Sequence, residues 1–423
     1  MTIGWTDIRR EPFRLLFPLG VLFGCLGISH WLWYALGWSS ASRFVHASIQ
    51  IGAYLYCFIA GFLWTAMPRM TGSAPATSAE LLAVLLLLAS QQLALGLRMP
   101  VAAQGCFAGL LVMLATFAIR RMARRHGSGG PPTEFVWVLI GVLFGLIGSA
   151  LVIFGQSALG SSLWMALGRP FAQQGFVLAV VLGVGGFMAP RLMGRGFKWS
   201  AERPVAPEVI ERIRHRRIRW HLAAAAALAV SFALEGLGLV RVAYTARAAV
   251  VSMELFWTTR LHRPPAVPDG YAKLLWISLW MVVAGFWAAA VWPRYRIAML
   301  HLVLIGGFSL MTFAVGTMVV LNHAGQAQRL RRPLWVLTVV AIGILAATVT
   351  RVLADVWPVH YLSLLATTSC LWLISGLAWV IFALPCVFTR APEGVLERLH
   401  EEAQQRLRRP SCAVDAGRTS CPS

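Results

Sequence analysis

Charge is scarce in this chain. Of its 423 residues only 13% are Asp, Glu, Lys or Arg, and only 16 are acidic, about half the charged share of an ordinary soluble domain. A water-soluble globular fold is excluded on that count. Cysteine is sparse too: seven residues, all isolated, with no Cys-x-x-Cys pair. Neither a disulfide framework nor a thiolate metal knuckle fits that spacing, and free thiols inside apolar helices act as small hydrophobes. No long polar stretch exists that would house a separate soluble module.

Apolar residues fill the chain instead. They make up 58% of it, with a mean hydropathy of +0.69. They fall into twelve runs, at 15–36, 45–67, 81–96, 101–119, 135–154, 171–193, 220–240, 242–257, 274–291, 297–321, 334–353 and 362–388. Each is near the length of about 20 residues that crosses a bilayer as a helix. The expected fold is all-α: a polytopic transmembrane bundle of about 12 spans, embedded in lipid. The eighth run is the weakest, being short and carrying Arg247 and Glu254, which lie seven apart on one face and would point away from lipid.

The formal charge of +21 suggests nucleic acid until its placement is followed. With the amino terminus inside, 29 Lys and Arg fall on inner segments and six on outer loops. That bias is the positive-inside rule, and it places both termini in the cytoplasm. The charge then meets anionic headgroups, and no nucleic-acid partner is expected. The first apolar run is followed directly by the second, so it reads as a retained span rather than a cleaved leader.

Residues 1–391 form the membrane domain, as two groups of six helices joined by a basic cytoplasmic loop at 194–219; residues 392–423 are a charged, partly disordered tail. Within the loop, 209–219 reads as a short surface helix leading into the seventh span. The second and sixth spans echo one another: Gly61-Phe62 precedes Pro68-Arg69-Met70-Thr71-Gly72, and Gly186-Phe187 precedes Pro190-Arg191-Leu192-Met193-Gly194. Pro and Gly stop a helix, and Arg sits well at its negative end.

Histidine carries the chemistry. His46 opens the second span, His301 lies just inside the tenth, His30 is towards the outer end of the first, and His360 precedes the twelfth. All four share the outer layer. A neutral imidazole there is a ligand suited to haem iron or copper. His323 is 22 residues beyond His301, about 33 Å along a straight helix, so the two cannot bind one metal. At the inner end His323 is open to three roles: capping carbonyls, binding a second metal, or moving protons. Arg351 either pairs with Asp355 four residues on or neutralises a haem propionate. No adjacent His-His pair exists of the kind a haem-copper binuclear centre uses.

The stretches around His46-Ala47-Ser48, Gly61 to Gly72, His301 to Gly307, Leu310-Met311-Thr312 and Asn322-His323-Ala324-Gly325 resemble the NnrS family over nearly the whole chain. The resemblance implies a twelve-span inner-membrane protein carrying haem b and copper, linked to nitric oxide and nitrosative stress. Its partners would be nitric oxide and a membrane or periplasmic electron donor. It also implies metal roles for His46, His301 and His323; His360 and Arg351 are further cofactor contacts expected from their place in the outer layer. Two departures bear on copper: the terminal element reads His-Ala-Gly rather than His-Thr-Gly, and the second His and the Glu of a His-Ala-His-Glu form are missing after His46. The rival expectation is an ion- or metal-coupled secondary transporter, with Arg247, Glu254 or Glu235 lining its path.

Overall fold

The computed structural model describes residues 3–40, 42–125, 131–157, 159–195 and 207–390. The tail at 392–423, Cys412, Cys421, His126, His400 and residues 196–206 of the basic loop lie outside the described residues. Eleven helices are long and apolar enough to cross a membrane. We number them with one further helix in chain order: α1 Phe13–Ala35, α2 Arg43–Thr71, α3 Ser78–Gly96, α4 Pro100–Ala123, α5 Thr133–Gly155, α6 Ser162–Leu192, α7 Glu208–Gly236, α8 Val240–Thr259, α9 Gly270–Val291, α10 Pro293–His323, α11 Trp335–Val356 and α12 Pro358–Val387.

Of the twelve expected spans, eleven meet that test of length and composition. α8 is the exception, a helix of 20 residues with charge at Arg241, Arg247 and Glu254. It nevertheless runs antiparallel along α7: His221 meets Glu254 at one end, and Tyr244 donates to Glu235 at 2.8 Å at the other. Arg247 and Glu254 are both buried, away from lipid as their shared face predicts. A second correction concerns 209–219, which is no separate surface helix. It is continuous with α7, because nothing between Glu208 and Leu234 is a Pro or Gly that would break the helix.

The bundle is held in ways usual for lipid-embedded helices. Outward side chains such as Leu22, Leu86, Val230, Ile342 and Ile381 are more than half exposed, which suits hydrocarbon and would be an aggregation face in water. Thr77 caps α3 reciprocally with Glu80, and the same Glu80 takes Arg121 of α4 bidentately at 2.6 and 2.8 Å, clamping the α3–α4 hairpin. Arg14 at the start of α1 donates to the carbonyls of Val387 and Thr389 at the end of α12. The first and last helices therefore meet at one end of the bundle, called here the terminal end, the opposite one being the far end.

Three helices occupy the interior. In their most apolar stretches α2 and α10 are each 78% buried and α6 is 61%, against 28% for α7. The same three widen into π-helix: α2 over Gln50–Leu55, α6 over Phe171–Gly175 and Val181–Gly185, α10 over Leu302–Ser309. Each then ends beside a left-handed glycine, Gly72, Gly194 or Gly325, with the next N–H bonded to the carbonyl five residues back. The echo seen between the second and sixth spans thus recurs in the tenth, at intervals of four helices.

Candidate functional site

The far end holds the two histidines of α2 and α10. Ser42 opens α2, its Oγ accepting the Val45 N–H at 3.2 Å. One turn on, His46 Nδ1 lies 2.9 Å from the Gly27 carbonyl of α1. Gly27 permits that approach, since a Cβ there would stand 2.7 Å from Gln50 Nε2. His301 Nδ1 lies 2.7 Å from the carbonyl of Ile297 in its own helix. A carbonyl can only accept, so each imidazole carries its proton on Nδ1 and keeps the Nε2 lone pair. Neither Nε2 has a protein partner among the described residues. This is the arrangement in which metal-bound histidines are usually held, one nitrogen oriented by a backbone acceptor and the other left for the metal.

The two rings share a depth. His46 acts electrostatically on His301, and Arg351 of α11 acts on both. Arg351 is buried; its Nη1 stands 3.0 Å from Asp355 Oδ1 but is not aligned to donate to it or to any other described group. An orphaned guanidinium donor beside two open imidazoles is the polarity that a cofactor with carboxylate arms requires. The π turns begin four residues after His46 and one after His301, a distortion common at functional sites.

His30 stands near His46, on which it acts electrostatically, and the other candidates stand elsewhere. His30 Nε2 already accepts the Ser42 N–H at 3.1 Å. His360 is exposed in the turn Pro358–His360. His323 is at the terminal end, its Nδ1 2.8 Å from Glu11 Oε1 and its ring faced by Arg69 Nη1 at 3.0 and 3.1 Å. Between the two ends, Tyr54, Phe58, Trp372 and Trp379 pack edge to face, and Phe313 lies tilted against both tryptophans, closing the space between α2, α10 and α12.

Glu11 was not a sequence candidate, and it organises the terminal end. Besides His323 it takes Arg14 Nε at 2.6 Å and Arg69 Nη2. Burial alone would raise its pKa; the His323 hydrogen bond, with the charges of His323, Arg14 and Arg69, instead lowers it from 4.5 to about 2. The Pro-Arg-x-x-Gly segment of α2 and the Asn-His-Ala-Gly segment of α10 therefore meet through one carboxylate. The only signal was that Glu11 and Asp7 are the sole acids ahead of the first span.

The donor set decides between metals. Two imidazoles would suffice to hold a haem, and His46 and His301 are the candidates for that role. Among the described residues no group of three or more His, Cys, Asp or Glu could hold a metal ion, so a protein-only copper site does not fit, and copper rests on the family resemblance. A family model described as NnrS protein matches residues 7–390. No curated protein matches the chain.

Proposed function

The chain belongs to the NnrS family, and from that premise we propose that His46 and His301 would hold a haem b between α2 and α10, in a protein serving the response to nitric oxide. Membership makes it a multi-pass inner-membrane protein linked to nitric oxide and metal handling. The observation that carries the haem is the pair of imidazoles on the two most buried helices, each oriented through Nδ1 with Nε2 open. When bound, the haem would supply a redox-active iron inside the lipid-embedded bundle. The protein's own part is to hold the rings. The Gly27 and Ile297 carbonyls fix their tautomer, and Arg351, which has no aligned hydrogen bond at Nη1, would donate to a propionate. The bias of basic residues towards the terminal end puts that end in the cytoplasm and the haem near the outer leaflet.

The test is a visible spectrum and a haem assay on protein purified from cells supplied with iron and a haem precursor. Wild type should carry about one haem per chain, and His46→Ala and His301→Ala should each lose it, a bis-histidine site having no spare ligand. Full haem content in both variants overturns the assignment.

One feature favours the rival transporter, the charge buried in the α7–α8 hairpin. Arg247 Nη1 pairs with Glu235 Oε2 at 2.8 Å, and His221, with Trp137 donating to its Nδ1 at 3.1 Å, stands 3.0 Å from Glu254. Buried ionisable groups at membrane depth often mark ion paths. Colourless, folded protein that moves ions into liposomes would establish that reading instead.

A further inference from the structure

A cavity of about 380 Å³ lies apart from the histidines, enclosed by α2 to α6 at the far end. Its mouth is marked by Pro100, Gln156 and Arg169, which sit at or near the far ends of α4, α5 and α6. Its walls are apolar for the most part, with Phe44, Ile51, Phe107, Val152 and Met165. Into this space project four carboxamides, Gln91, Gln104, Gln156 and Gln173, and no carboxylate.

The amides are not spent on one another. Gln91 is almost wholly buried and uses only its oxygen, weakly, with Gln92 at 3.5 Å. Its Nε2 is left free among the described residues. Gln104 donates to Ser149 at 2.8 Å and keeps its oxygen, and Gln173 has no partner among the described residues. Gly52 makes the room: a Cβ there would lie 2.5 Å from Gln91 Nε2. Burying an unsatisfied amide is costly, so a set of them around an apolar hollow calls for a ligand that completes them.

The chemistry narrows that ligand. One arginine and no acid reject a cation. A simple anion would leave the apolar depth unused, because the charge stands at the rim and the interior offers only neutral amides. A flat ring with oxygens at its edges uses both, its faces against Phe44 and Phe107 and its oxygens on the amides. Carboxamides also both donate and accept, so by turning over they serve a carbonyl or a hydroxyl equally well. We propose that this cavity binds the headgroup of a membrane quinone in either its quinone or quinol form. The wall residues Ala47 and Ser48 share one helical turn with His46, whose ring faces the opposite side of α2. The inference deepens the haem reading by naming the class of its membrane electron carrier.

Full-length protein in detergent, titrated with a decyl-chain benzoquinone and followed by calorimetry, should show one saturable site per chain. Gln91→Leu should weaken binding about tenfold, the value of one buried hydrogen bond. Gly52→Ala, which drives the Gln91 amide into the hollow, should weaken it at least as much, with thermal unfolding confirming that both variants fold. Absence of saturable binding, binding that neither substitution changes, or displacement of the quinone by sulfate or nitrite each overturns the proposal. His301→Ala separates the two readings. Quinone binding that persists while haem is lost supports both; quinone binding with haem retained leaves the cavity standing and removes the haem assignment; haem lost as expected with no quinone bound by wild type removes the cavity alone.

Discussion

The two ends of α10 each present a histidine, and they are treated in opposite ways. At the far end His301 has one nitrogen fixed on a carbonyl and the other open, with no acid against its ring. At the terminal end His323 is enclosed by Glu11 and Arg69, and the carboxylate it holds is shared with Arg14. An imidazole with a free lone pair is a ligand in waiting. One locked to a carboxylate and faced by a guanidinium is a structural cross-link between segments more than 300 residues apart in sequence. Residue type and helix are the same in both; the end of the span and the neighbours differ.

The largest effect that can break this contrast is the loss of haem in His301→Ala. The second is a stability test at the other end. Glu11→Gln leaves Arg14 buried without its counter-charge, and removing one partner of a buried pair costs about 3 kcal/mol. The variant should unfold at a clearly lower temperature in detergent while keeping its haem. The sign with pH follows from Glu11, whose folded pKa is depressed from 4.5 to about 2. Its contribution is complete above the ordinary carboxylate value and is lost as pH falls through that window. Thermal scans of wild type should therefore converge on those of Glu11→Gln between pH 4.5 and 2. Parallel scans would mean that the cluster stabilises nothing.

How much of this was legible in sequence depends on the range of the interaction involved. Membrane spans are local, so apolar runs located all twelve helices; α8 was the weakest of them because its charges, Arg247 and Glu254, turn inward. The common depth of His46 and His301 followed from counting helices and directions. Glu11 did not follow, since an acid just ahead of a first span reads as solvated until Arg69 and His323 are folded against it. The π turns were equally hidden, because a one-residue widening barely disturbs the apolar pattern of a fully buried helix. Gln91, Gln104, Gln156 and Gln173 lie on four different elements, and no motif joins them. The internal echo was visible as a pair; the third copy in α10 needed the backbone.

A smaller effect sharpens the far end. Arg351→Gln keeps both imidazoles but removes the positive charge that acts on them. Haem should remain, with a midpoint potential lowered on the order of tens of millivolts, because a cation nearby favours the reduced, less positive iron. A redox titration checks it. An unchanged potential would mean that Arg351 answers only to Asp355, 3.0 Å from its guanidinium.

The smallest expected effect fixes the boundary of the site. His360 shares the far-end layer in sequence, yet the turn Pro358–His360 leaves it exposed, and its backbone carbonyl, not its ring, accepts Ser363. A solvent-facing ring without partners contributes within about 0.5 kcal/mol to stability. His360→Ala should therefore match wild type in haem content and unfolding temperature. Because His46, His301 and His360 carry the same functional group at one level, equal haem loss in all three would show that depth alone selects the ligands. Loss in only the first two would assign the selection to the Gly27 and Ile297 carbonyls, which hold those rings with Nε2 outward and have no counterpart at His360.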